Sequence, residues 1–373
     1  MSATFIETML GTVSGSVVTI EPDHIVVNDG VSHIAAAEAK AVAVPDKVEV
    51  YFDHNVPTGD PDAARIFGII RDFAKKFGCK FIQAKGTAYQ YMLNEVVQPG
   101  QIVIGGGTHG SIFGAKGALG INVSPLELAR VMETGKYQMI VPETVRVKVI
   151  GKLDDGVSMM DAALKFLSEN KDIPGKVVEF VAEGLDMHQK SVLCSMACGT
   201  GAFTAVCVEN GETDRVLNLN AVIPMAVKPC AVRAAQHTAE IIPEALLRGI
   251  EVQAGQIGGY TGGTIEDLRI AVKMIEGKKL ARGFRLTVCP ATSADYLQAL
   301  QEGIITAFID YGAQISAAGD HSVVIQGAGV IGKGETLATT GLYTYAGCMG
   351  VEDSMVYTAS VETIIRASYT RTL

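Results

Sequence analysis

Tryptophan is absent from this chain, and its seven cysteines form no Cys-x-x-Cys pair and show no metal-ligand spacing. An odd count without such pairs speaks against a disulfide framework and suits a reducing cytoplasm. No run approaches about 18 uninterrupted apolar residues, so no membrane-spanning helix is expected. The start, Met1-Ser2-Ala3-Thr4-Phe5-Ile6-Glu7, has neither the basic flank nor the apolar core of a signal peptide. Positive charge is also in short supply: 31 Lys and Arg stand against 40 Asp and Glu, a formal net charge of −9. That balance argues against nucleic acid or an anionic membrane surface as a partner. It leaves small anions open, because one basic pocket can sit in an acidic protein. A cytoplasmic protein acting on small molecules is the expectation, and a homo-oligomer is compatible with it.

The 373 residues are 48% hydrophobic and 19% charged, enough for two or three packed domains. With 41 glycines, the composition fits a tightly turned α/β core. Helical and strand signals alternate from end to end, as in α/β layer folds. Ile66, Ile70, Phe73 and Phe77 make a helical stripe over Ala63 to Phe77, closed by Gly78. Gln101 to Ile104 reads as a buried strand running into three glycines. Ile265 to Ile275 reads as a helix with Glu266 and Asp267 in its first turn, where they complement the helix dipole. Arg285 to Cys289 reads as a strand stopped by Pro290, and Ala294 to Leu300 as the next helix. Pro142 and Pro224 lie in loop-like stretches and set the expected units at 1–141, 142–223 and 224–373.

Five segments then carry a resemblance. Asp53-His54-Asn55-Val56-Pro57-Thr58, Gly86-Thr87-Ala88-Tyr89-Gln90, Gln98 to Gly105, Val141 to Val147 and Gly259 to Arg269 occur in that order. Together they make the chain similar to the aconitase and isopropylmalate dehydratase family, large-subunit part, over nearly its whole length. The resemblance implies an aconitase-like α/β fold, with two or three intimately packed three-layer α/β/α domains around a central cleft. It also implies an iron–sulfur cluster held by three cysteines, and here the sequence departs. The first cysteine position is Tyr260, and the Cys-x-x-Cys pair reads Asp320 and Val323. A phenol, a carboxylate and an isopropyl group cannot replace three thiolates around a soft cluster. No cofactor and no metal are therefore expected. The swivel domain, which in the family supplies a serine base, is not recognised in these residues. A separate swivel subunit would restore it, but the lost cysteines disfavour an ordinary two-subunit dehydratase.

Of the family's three histidine–carboxylate pairs, the first survives as Asp53 and His54. The second has become Tyr89 and Gly107. The third keeps its histidine as His109, with Gly199 at the glutamate position. Both substrate-binding arginines are lost, to Tyr343 and Cys348. These correspondences imply a catalytic set of His109, His54, Asp53 and Tyr260. His109 is the expected base, with a pKa near the reference ~6.5 for want of a carboxylate neighbour. His54, oriented by Asp53, stays more easily protonated. Thr108, Gly107, Lys116, Tyr89, Gln90, Thr261, Tyr343 and His321 are the expected substrate-binding residues. Lys116 is the candidate cation in place of a lost arginine.

The expected function is metal-independent isomerisation of an unsaturated di- or tricarboxylate, cis-aconitate to trans-aconitate, by allylic proton transfer. One rival is a hydro-lyase with a mononuclear metal on His54, His109, Asp320 or His321. Another is a non-catalytic paralogue. On a plainer reading Tyr260, Tyr89 and Tyr343 only fill the vacated cluster space, and Cys194, Cys198 and Cys207 are buried core thiols. Two matches to G-x-G-x-x-G, at Gly105 to Gly110 and Gly327 to Gly332, are set aside as dinucleotide fingerprints. The first leads into glycine-rich chain, poor helix material, and too little chain follows the second.

Overall fold

Short apolar runs without polar alternation become parallel strands covered on both faces. Val48–Phe52 and Val177–Val181 are buried at every position. The computed structural model describes residues 3–198, 201–233, 238–321 and 329–373. Three α/β sheets follow one another along the chain. The first has five parallel strands in the order Lys80–Gln83, Val48–Phe52, His24–Asn28, Ile102–Gly106, Leu119–Val123. The second has four parallel strands in the order Thr204–Val208, Val177–Val181, Thr144–Ile150, Arg215–Asn218. The third has seven strands between Met225 and Ala359, with Ala254–Gly258 paired parallel to Arg285–Cys289 and Thr336–Thr339. Each sheet carries its own apolar core, anchored for example by Ile25, Phe180 and Leu286.

The helical signals fold as their chemistry directs. Pro61–Phe77 is capped by the Asp60 carboxylate and stopped by Gly78 in the left-handed region, and it buries Ile70 and Phe73. Ile265–Ile275 opens on a reciprocal capping box between Thr264 and Asp267, a feature worth about 1 kcal/mol. Ser293–Gln301 and the strand Arg285–Cys289 stand where the periodicity places them.

One stretch departs from the expectation. After Gly110 the glycine-rich chain, expected to be poor helix material, forms a 3-10 helix, Gly110–Lys116. Its glycines serve close packing: a Cβ on Gly114 would lie 1.9 Å from the Ala205 carbonyl oxygen. This helix also packs against Met187–Ala197, which brings the first and second sheets together behind the site. The strand before it is not followed by an α-helix, so the nucleotide-like glycine pattern lacks its structural context. The second such pattern begins at Gly327, outside the described residues. No helix among the described residues is long and apolar enough to cross a membrane.

Candidate functional site

In the first sheet the chain runs from His24–Asn28 outward to Lys80–Gln83, then returns to build Ile102–Gly106 on the other flank. Such a reversal leaves a crevice at the carboxyl ends of the two central strands. Asp29 and Gly30 leave one of those strands, and Gly107, Thr108 and His109 leave the other. The neighbouring strand Val48–Phe52 delivers Asp53 and His54 to the same end. From the third sheet, Ala254–Gly258 delivers Tyr260, and the Asp53 carbonyl accepts a 2.9 Å hydrogen bond from the Asp320 amide. All of these but the fully buried Asp53 line a cavity of about 630 Å³, which Ile66, Arg233, Tyr343 and Tyr345 also border.

His54 is held among three carboxylates. Its Nδ1 lies 2.6 Å from Asp53 Oδ1, and its Nε2 lies 3.5 Å from Asp320 Oδ2. Asp29 stands 3.9 Å from Nδ1. Burial works to discharge the ring, but Asp53, then Asp320 and Asp29, outweigh it and raise its pKa to about 10. His54 is therefore an imidazolium at neutral pH. Burial pushes Asp53 upward, the His54 charge pulls it back, and the pair is ionic. The ring lies so close to the chain at Gly30 that a Cβ there would be 2.7 Å from Nε2. Only glycine leaves that space.

Asp29 positions this dyad. Its Oδ1 accepts the Asp53 and His54 amides at 2.7 and 2.9 Å, and its Oδ2 accepts the Asn55 amide and side-chain nitrogen at 2.7 and 2.8 Å. Sequence reasoning missed it; the available signal was an Asp-Gly pair directly past a buried strand.

His109 is the opposite case. It is 7% exposed, stacked on Tyr260 with ring centroids 4.2 Å apart and planes 20° apart, and its Nδ1 lies 2.8 Å from Ser195 Oγ. Burial lowers its pKa to about 4, helped by the nearby His54 charge and opposed by Asp320. The expected value near 6.5 is thus corrected. Absence of a carboxylate partner does not leave the ring at its reference value when burial is this complete. Its partner is Ser195, which sequence reasoning missed inside an apolar helix; Gly199 lies outside the described residues.

Tyr260 is a buried phenol whose hydroxyl donates to Asp53 Oδ2 at 3.4 Å. Its pKa is raised well above the usual value, by burial first and then by Asp53. Tyr89 packs beside it, 5.9 Å between ring centroids, and donates to the Gly106 carbonyl at 2.6 Å. The Tyr343 hydroxyl donates to Thr108 Oγ1 at 3.1 Å. Gly107, Thr108, Tyr89 and Tyr343 border the cavity.

Four expected binding residues do not. Lys116 ends the 3-10 helix with its ammonium on the Leu93 carbonyl, 3.2 Å away. Gln90 follows Tyr89 on a helix, about 100° around the axis, so the two cannot share the cavity face. Thr261 donates to the Thr340 carbonyl, and the buried His321 also lies outside the cavity lining. The cation at the cavity is Arg233 instead, the one Lys or Arg among its described lining residues. Its charge reaches Tyr343 and Tyr345, opposing the upward push of burial on both phenols. Its stretch carries no motif that marks it.

The residues do not fit an iron–sulfur cluster. Tyr260 fills one ligand position with a ring stacked on His109, Asp320 faces His54, and Val323 lies outside the described residues. Among the described residues, the one group of three compatible with a metal ion is Asp29, Asp53 and His54. Both Asp29 oxygens are already engaged by four N–H donors, and His54 is cationic, so this group suits a hydrogen-bonded clamp better than a cation site. His109 and His321 join no such group.

Comparison with known proteins agrees with this architecture. The model of the aconitase family (aconitate hydratase) matches residues 13–221 and 211–370. The methanogen homoaconitase large subunit of Methanocaldococcus jannaschii is 29% identical, over 93% of this chain and 92% of that protein. The 3-isopropylmalate dehydratase large subunit of Thermodesulfovibrio yellowstonii is 29% identical, over 92% and 89%. The crystal structure of Thermococcus kodakaraensis aconitase X in its holo-form superposes with a TM-score of 0.58 at 14% identity, covering 98% of this chain and 96% of that one, a likeness of fold. This chain belongs to the aconitase family.

Proposed function

We propose that this protein is a metal-independent isomerase of an unsaturated di- or tricarboxylate, interconverting cis- and trans-aconitate by allylic proton transfer. The observation that carries the reading is the His54–Asp320 pair, 3.5 Å apart and facing one cavity. A proton leaves the methylene carbon beside the double bond, and its electron pair spreads into the conjugated carboxylate as a dienolate. Asp320 takes that proton, and the His54 imidazolium gives its Nε2 proton to the former vinyl carbon. Asp320 then returns a proton to His54, so the array ends as it began. Positioned acid–base groups of this kind supply about 10²–10⁴-fold in rate.

Arg233 is the anchor for a remote carboxylate, which a guanidinium grips with two parallel bonds. Thr108, whose hydroxyl accepts from Tyr343 and keeps its own hydrogen to give, and the backbone at Gly107 supply neutral donors for the others. Asp53 and Asp29 act through His54, as positioning residues. A purely structural role leaves unexplained why one cavity holds a charged and a neutral histidine.

The second reading is a hydro-lyase, favoured by relatives named homoaconitase and 3-isopropylmalate dehydratase. Their names include the words large subunit, so the chain is tested alone and free of chelatable metal. cis-Aconitate incubated with EDTA-treated protein and separated by chromatography is expected to give trans-aconitate. Hydrated product appearing only after addition of metal or of a second subunit supports the hydro-lyase instead.

A further inference from the structure

A histidine offers the substrate a donor or a lone pair according to which ring nitrogen carries its proton, and here a neighbour decides. The Ser195 hydroxyl is fully buried, and among the described residues its one hydrogen-bond partner is His109 Nδ1, at 2.8 Å. If Nδ1 carried a proton, the serine would have to accept, and its own hydrogen would point into the core without a partner. Leaving a buried donor unmet costs about 1–3 kcal/mol. The serine therefore donates, Nδ1 accepts, and the ring proton sits on Nε2. That nitrogen makes no hydrogen bond among the described residues, and His109 lines the cavity.

The arrangement is tied down twice. Ser195 lies on the helix Met187–Ala197, and the carbonyl of the preceding residue, Cys194, accepts a 2.6 Å hydrogen bond from Ser111 Oγ. Ser111 lies two residues past His109, so one helix turn grips both the ring and the backbone that carries it. Stacking on Tyr260 fixes the ring plane. Burial keeps the ring uncharged at neutral pH.

We propose that Ser195 holds His109 in its Nε2–H tautomer, making His109 a neutral hydrogen-bond donor to the anionic oxygen that develops on the substrate, and not the base that deprotonates it. The proposal rests on the proton-transfer reading above, but its first test does not need turnover. A neutral donor aimed at developing charge stabilises the dienolate without giving up its proton. Ser195 is a positioning residue acting through His109.

The test is a long-range proton–nitrogen correlation spectrum of the full chain labelled with ¹⁵N-histidine at pH 7, with His109→Gln assigning the resonance. The expected pattern is neutral imidazole protonated at Nε2 with Nδ1 accepting a hydrogen bond, and Ser195→Ala is expected to move the Nδ1 resonance toward that of an unbonded ring nitrogen while Ser195→Thr retains it. His109 found protonated on both nitrogens, or on Nδ1 alone, overturns the proposal, as does an Nδ1 resonance unchanged in Ser195→Ala. If Ser195→Ala does not fold, the wild-type spectrum decides alone. In turnover, Ser195→Ala is expected to lower kcat about 10- to 100-fold with KM within about twofold, the usual cost of losing a partner that orients a functional ring. The spectrum can support the tautomer while the aconitate assay fails, so the two readings fall separately.

Discussion

His54 Nε2 and Asp320 Oδ2 stand 3.5 Å apart although their loops leave different sheets, one after Phe52 and the other after Ile315. The pair couples the carboxyl end of the first sheet to the third across one cavity. Asp320→Asn keeps the shape and removes the charge. It is expected to lower kcat by about 10²–10⁴-fold, the range for a lost acid–base partner, with a smaller change in KM. It also removes one of the charges that raise the His54 pKa, so an NMR titration of His54 is expected to move downward.

The three carboxylates around His54 make stability depend on pH in the alkaline range. The folded pKa, about 10, lies above the unfolded value near 6.5, so the folded state holds the proton more tightly. This contribution is fully present below pH 6.5 and is lost as pH rises through about 10. The melting temperature is expected to fall between pH 7 and 10, and to fall less in His54→Gln. Equal slopes in both proteins would count against the ionic pairing.

Arg233 and Lys116 separate binding from fold. Arg233→Ala is expected to raise KM by about 10- to 100-fold with kcat little changed, the worth of a charge-assisted bond of about 1.5–3 kcal/mol. Lys116→Ala removes an ammonium that sits on a carbonyl outside the cavity and should leave KM within about twofold. Steady-state kinetics on both variants check the pair of expectations. A KM effect at Lys116 and none at Arg233 would reverse the assignment.

Gly30 is a steric test of the His54 position. A methyl group placed there meets Nε2 at 2.7 Å, so Gly30→Ala must displace the imidazole from its place beside Asp320's carboxylate. The variant is expected to fold, with circular dichroism unchanged, and to lose turnover to the level of Asp320→Asn. Full activity in Gly30→Ala would mean that the observed ring position is not the one that reacts.

Much of this architecture was legible beforehand. The stripe from Ile66 to Phe77 and the charges opening Ile265–Ile275 are local signals, set by period and capping, and they fold where they read. The Asp53–His54 pair is adjacent in sequence, so its chemistry was visible there too. The partners that tune the histidines were not. Asp29, Ser195 and Arg233 join the site only when strand ends and a helix from separate parts of the chain converge, and no spacing rule spans 24 or 86 residues. The same limit misplaced Lys116: its charge was visible, but the direction of a side chain on a 3-10 helix in glycine-rich chain was not.

The central claim is cluster-free transfer of an allylic proton, and proton NMR of cis-aconitate with EDTA-treated protein in deuterated buffer tests it most directly. The account predicts trans-aconitate, with deuterium at the allylic carbon wherever the transferring groups exchange with solvent before reprotonation. Unchanged cis-aconitate without metal, together with a hydrated product once iron or zinc is added, would contradict it.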